Sequence, residues 1–238
     1  MISKKNKDIL VKAMRKHHRE NNIKKGRWSN CHIGCCGMAF GLTDNGPQWL
    51  ELSEVTNLPE WFFRLCEKIF ERLPDEKSND FSLAVCEVLP VETDITPVLT
   101  TVNIARLEGL LKLHSCSSDD KNKHDIMDLL YQCIALWQRP CTTEKEWLEV
   151  VYAAKDFKIS NYSKRLFIYI AKSVKASARS AIFDGYFDIH KDAGCYAARS
   201  AEYAGYAANV DHKANISNTE GAWFEQEAKV LIEALKQL

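Results

Sequence analysis

With 238 residues, 46% of them hydrophobic and 27% charged, the chain is long enough to bury one large core or two modest ones. Its 32 Lys/Arg balance 32 Asp/Glu, which argues against a general coat for nucleic acid, and no apolar run reaches bilayer-spanning length. That neutrality hides a separation: residues 1–27 carry ten Lys/Arg and two acids, whereas 44–94 carry twelve acids and four Lys/Arg, nets of +8 and −8. Either the two arms face each other within the fold, or the basic start meets an external anion such as nucleic acid or an acidic protein surface.

The first element is an amphipathic helix over about Ser3–Asn21. Ile9, Leu10, Ala13, Met14 and His17 share one face, opposite Lys5, Lys12, Arg15, Lys16 and Arg19. Gly26 breaks it. Segment 28–42 is apolar, thiol-rich and interrupted by three glycines, which fits a short helix or a buried loop. Asp44, Asn45 and Gly46 form a turn, and Pro47 suits the start of a short helix over Gln48–Val55. Asn57 with Glu60 three residues on resembles a capping box for the next helix, in which Trp61, Phe62, Leu65, Ile69 and Phe70 recur at helical spacing up to Leu73-Pro74. A helix over Asp80–Val88 stops at Pro90, and Thr96-Pro97 opens another with Leu99, Val102, Leu107, Leu110 and Leu111 inward.

Helices over His124–Gln138 and Glu144–Phe157 follow, the second with a Thr143–Glu146 capping box. Leu166–Phe183, Cys195–Ala208 and Trp223–Leu238 complete the pattern. Ala171, Ala178 and Ala181, then Ala197, Ala201, Ala204 and Ala208, place small residues where helix backbones can approach closely. Nothing alternates with period two, so the expected fold is all-α, a compact multi-helix bundle or stacked helical hairpins. Residues 1–45 form a basic helix plus a Cys/Gly-rich segment, and 46–238 an all-helical domain with one core continuous with it.

Three stretches carry a resemblance: the Asn57-Leu58-Pro59-Glu60-Trp61 helix start, Ile69-Phe70-Glu71-Arg72-Leu73-Pro74, and Val88-Leu89-Pro90-Val91 before Asp94-x-x-Pro97. Together with Glu144-x-x-Trp147 and the closing Trp223…Gln226…Leu231-Ile232…Leu235, they resemble an uncharacterised family encoded in bacteria and their phages, over residues 45–238. That likeness implies a helical fold and transfers no catalytic residue. The alanine-rich helices are also similar to those of immunity proteins of polymorphic toxin systems.

Cys31-His32-x-x-Cys35-Cys36 is the densest group of soft ligands. Thiolates at i and i+4 on one helix can bind zinc, with His32 or a distant cysteine completing the tetrahedron; the competing reading is a buried, small-residue helix turn. Asp184, Asp188 and Asp192 fall on one helical face, with His190 nearby, and read as a divalent-cation or acid–base site, or as a solvated stripe. Tyr196, Tyr203 and Tyr206 interleave with alanines and read as packing rather than as a base-stacking platform. There is no P-loop, GxSxG, HExxH or EF-hand loop.

Nine scattered cysteines, most on apolar faces, indicate the reducing cytoplasm. The resulting expectation is a non-enzymatic interaction protein that inhibits or neutralises a protein partner in phage–host or toxin conflict. Glu51, Glu54, Glu60, Glu67 and Glu71 are its expected contacts. Two rivals remain: a metal-binding protein or metalloenzyme built on Cys31, His32, Cys35 and Cys36, and a nucleic-acid binder using Lys12, Arg15, Lys16 and Arg19.

Overall fold

The structure, a computed structural model, describes residues 1–26, 31–42, 48–114, 121–156, 165–185, 190–212 and 219–238. Among them the fold is all-α, with eleven helices and no strand. In chain order these are α1 (Lys4–Arg19), α2 (His32–Ala39), α3 (Trp49–Thr56), α4 (Glu60–Arg72), α5 (Asp75–Val88) and α6 (Thr96–His114). Then come α7 (Lys121–Gln138), α8 (Glu144–Asp156), α9 (Arg165–Gly185), α10 (His190–His212) and α11 (Thr219–Lys236). No described helix is long and apolar enough to cross a membrane. The expected turn at Asp44–Pro47 lies outside the described residues.

Local chemistry explains most boundaries. Ser3 caps α1 by accepting the Asn6 N–H at 3.2 Å, and Lys16, His17, His18 and Arg19 crowd its last turn, where the helix dipole favours cations. The Thr143–Glu146 box forms as expected: the Thr143 N–H donates to Glu146 Oε2 at 2.8 Å, and the Glu146 N–H to Thr143 Oγ1 at 3.4 Å. Asp94 Oδ1 accepts from the Thr96 N–H at 2.9 Å ahead of α6.

Two starts differ from the sequence reading. Asn57 does not cap α4. It takes a left-handed conformation (φ 58°) and closes α3 through its N–H to the Ser53 carbonyl, while Pro59 precedes α4 without a side-chain cap. Helix α5 begins at Asp75 rather than Asp80, because Pro74 sets the entry and Asp75 and Glu76 suit the first turn. Its apolar periodicity begins only near Phe81, which hides that polar first turn from a hydrophobic pattern.

Helix α4 is the axis of one core, burying Trp61, Phe62, Phe63, Leu65, Cys66, Ile69 and Phe70 against residues of α1, α2, α5 and α11. Each fully buried aromatic there is worth about 1.5–3 kcal/mol. A second core gathers Leu130, Cys133, Trp147, Val151, Ile170 and Val174 from α7, α8 and α9. Trp137 and Trp223 pack against both. Helices α9 and α10 meet through small residues, and Ser173 and Ser200 exchange hydroxyl-to-carbonyl hydrogen bonds at 2.9 and 3.0 Å. The close approach expected from the alanine spacing is therefore realised across this pair.

Candidate functional site

The thiol-rich segment folds as helix α2 and turns inward. Cys31 is its N-cap, its Sγ accepting the Gly34 N–H at 3.3 Å, and Cys31, His32, Cys35 and Cys36 are all buried. Two cysteines that the sequence reading did not link to this segment join it. Cys86 of α5 hydrogen-bonds the Cys36 thiol, and Cys66 of α4 adds to the electrostatic field on Cys36. Neither has a spacing relation to the others that a motif search detects.

This environment disfavours thiolates. Burial pushes the Cys31 thiol up to about 11 and the Cys35 thiol up to about 12. The hydrogen bond with Cys86, and then burial, raise Cys36, and burial raises Cys66. Among the described residues, no group of three or more His, Cys, Asp and Glu is arranged to hold a metal ion. Cys141, by contrast, is exposed. We expect a thiol reagent to label Cys141 in the native protein, and Cys31, Cys35, Cys36, Cys66 and Cys86 only after unfolding, as read by peptide mass mapping.

His32 lies 6.3 Å from the Phe70 ring and 6.2 Å from the Phe81 ring, with its Nδ1 buried and unpartnered. Burial lowers its pKa from 6.5 to about 4. In the unfolded chain the ring takes up its proton near pH 6.5, in the native state only near pH 4, so stability falls as pH drops through that window. The loss is about 3 kcal/mol. His32→Leu is expected to match or exceed wild-type stability at pH 7, since it removes an unsatisfied buried polar atom, and to lack that acid loss. Glu67 acts with the opposite sign: its pKa is raised from 4.5 to about 7, so its contribution to stability falls as pH rises through that range. Comparing His32→Leu with wild type by urea unfolding from pH 7 to 4 cancels the Glu67 effect.

The charge separation closes in part within the chain. Arg15 meets Glu87 at 2.7 Å, His18 meets Asp80 at 2.9 Å, and Lys25 meets Asp75 at 2.9 Å. The Gly26 N–H donates to Glu71, and Lys25 also reaches the Leu73 carbonyl. Of the expected anion-binding residues, Lys12, Arg15 and Arg19 line a groove of about 360 Å³ between α1 and α5 that also contains Asp8, while Lys16 is exposed outside it.

The five expected acidic contacts do not form one face. Glu51 and Glu54 are exposed on α3. Glu60 is only 4% exposed and pairs with Arg64 at 2.5 Å, and that guanidinium stacks 4.0 Å from the Trp49 ring. Glu67 accepts the Trp49 indole N–H at 2.8 Å; burial raises its pKa against that bond, with Glu71 adding to the rise.

No family model, curated protein or solved structure matches this chain. Asp188, the centre of the acidic stripe with Asp184 and Asp192, lies outside the described residues. One further concavity sits between α5 and α11: about 280 Å³, with Leu73, Phe81, Ala84, Ala228 and Ile232 as its floor. Lys77, Asp80, Glu225 and Lys229 rim it, and Lys77 pairs with Glu225 at 2.6 Å.

Proposed function

We propose that this chain is a helical interaction protein that works through its outer helix faces, with a protein as its partner. The observation that carries the reading is the fate of its densest reactive cluster. Cys31, His32, Cys35 and Cys36 are packed as core, with pKa values moved away from the thiolate and the imidazolium. The α5–α11 groove supports the partner class: an apolar floor between two helices, rimmed by charges of both signs, suits the apolar stripe of an amphipathic helix with mixed charges on its flanks. The exposed Glu51 and Glu54 add steering toward a basic surface. The resemblance to a bacterial and phage family supports a role as an inhibitor or immunity-type protein, and the buried thiols support a cytoplasmic setting.

Ala84→Asp and Ile232→Asp place charge on the groove floor. Each is expected to weaken a purified partner by at least about tenfold in calorimetric titration. Glu51→Lys with Glu54→Lys is expected chiefly to slow association and reduce its salt dependence. Unchanged binding in both sets would sink the reading.

Zinc in the thiol cluster is the second reading, raised by the gathering of Cys66 and Cys86 around Cys36, although among the described residues no three ligand side chains converge there. Elemental analysis of protein purified without chelator decides it: about one equivalent supports zinc, and less than about a tenth removes it.

A further inference from the structure

Helices α9 and α10 share an outer face on which tyrosines and cations alternate. Tyr169, Lys172 and Arg179 follow one another at helical spacing on α9, as do Tyr196, Arg199, Tyr203 and Tyr206 on α10. The Lys172 ammonium sits 5.7 Å from the Tyr169 ring and 5.5 Å from the Tyr203 ring. Around Tyr196, the Arg179 guanidinium lies 5.2 Å and the Arg199 guanidinium 5.9 Å from the ring centre, and Arg179 also donates to the Tyr196 hydroxyl at 3.1 Å. Tyr206 stacks on Tyr169 at 5.4 Å.

Among the described residues this face gathers cations whose charge is not matched by an ion pair. Glu202, on the same helix, is held by Lys68 at 3.2 Å and by Arg72 at 3.0 Å. Among the described residues, Lys172, Lys175, Arg179 and Arg199 have no carboxylate within ion-pair reach. Burial chiefly lowers the Lys175 pKa, and the nearby Arg179 and Lys155 add to the shift. Exposed Tyr152 lies one turn before Lys155 on α8.

The geometry points to a single-stranded nucleic acid as the ligand of the α9–α10 face, with Lys172, Lys175, Arg179 and Arg199 on the phosphates and Tyr169, Tyr196 and Tyr203 offering rings to the bases. A duplex keeps its bases stacked inside, and an acidic peptide has no use for the flat rings. This inference is independent of the protein-partner reading, since it uses neither the α5–α11 groove nor α3.

The test is fluorescence anisotropy on the full chain with oligothymidine and oligouridine strands of about 20 nucleotides. A duplex of the same length and polyglutamate serve as competitors. Binding is expected to weaken with salt at a log–log slope of about −0.7 per phosphate, so about −3 for four cations. Lys172→Gln and Arg199→Gln should each reduce that slope by about 0.7. Tyr203→Leu should weaken binding about tenfold with the slope unchanged, and Tyr203→Phe should bind as wild type. If Tyr203→Leu loses its helical circular-dichroism signal, the two slope measurements carry the test alone. No binding to either strand, equal competition by duplex or polyglutamate, or loss of binding in Lys12→Gln with Arg19→Gln (which would move the contact to α1) overturns the assignment. Preference for one strand identifies RNA or DNA as the source.

Discussion

Glu227→Ala is expected to lower the free energy of unfolding by about 3–5 kcal/mol, although Glu227 belongs to no candidate site. Its carboxylate receives Arg106 in a two-pronged contact, Nε to Oε1 at 2.7 Å and Nη2 to Oε2 at 2.9 Å, with the arginine side chain fully buried. Arg106 Nη1 also donates to Asn103 Oδ1 at 2.9 Å, so α6 and α11 are joined by a polar group inside the core. Removing the carboxylate strands a guanidinium with neither water nor counter-charge. The pair also borders a cavity of about 50 Å³ beside Gly109 and Trp223, and truncation enlarges that void. Replacing both residues, Arg106→Leu with Glu227→Leu, should recover most of the loss, because both desolvation costs disappear together. Urea unfolding of the two singles and the double gives the cycle. A single-variant loss below about 1 kcal/mol would mean that the pair is worth no more than a surface contact.

What the sequence made legible is what local physics controls. The α1 amphipathic face, the Thr143–Glu146 box and the Thr96-Pro97 start are written within a few residues, and all three form. The α4 entry was misread because Asn57 suits two roles: a short polar side chain serves as an N-cap, and the same residue tolerates the left-handed turn that ends α3. Opposite charge in 1–27 and 44–94 was visible, but whether the arms met was a tertiary question, answered by Arg15–Glu87, His18–Asp80 and Lys25–Asp75. Cys66, Cys86 and the Arg106–Glu227 pair left no local trace, because their partners are brought in by packing from distant helices. The α9–α10 face was half legible. Tyr196, Tyr203 and Tyr206 stand out by spacing, whereas Lys172, Arg179 and Arg199 form no motif and join them only when the two helices lie side by side.

Phe224→Ala is expected to cost about 3–5 kcal/mol, and its interplay with Gly205 gives a sharper result than the loss itself. Phe224 of α11 is fully buried, and a Cβ built on Gly205 of α10 would stand 2.6 Å from its Cε2. Glycine in a helix interior normally costs about 1 kcal/mol relative to alanine, so on propensity alone Gly205→Ala should stabilise. Here the added methyl must displace a ring that its neighbours hold, and overpacking of that kind costs about 1–3 kcal/mol. Gly205→Ala is therefore expected to destabilise the wild-type chain. In the Phe224→Ala background the obstruction is gone, and the same substitution should turn stabilising by up to about 1 kcal/mol, from helix propensity and partial filling of the void. Thermal or urea unfolding of the four variants reads the change of sign. If Gly205→Ala stabilises both backgrounds equally, the glycine is not there to let α11 approach α10, and the close contact of these helices rests on the alanines and serines alone.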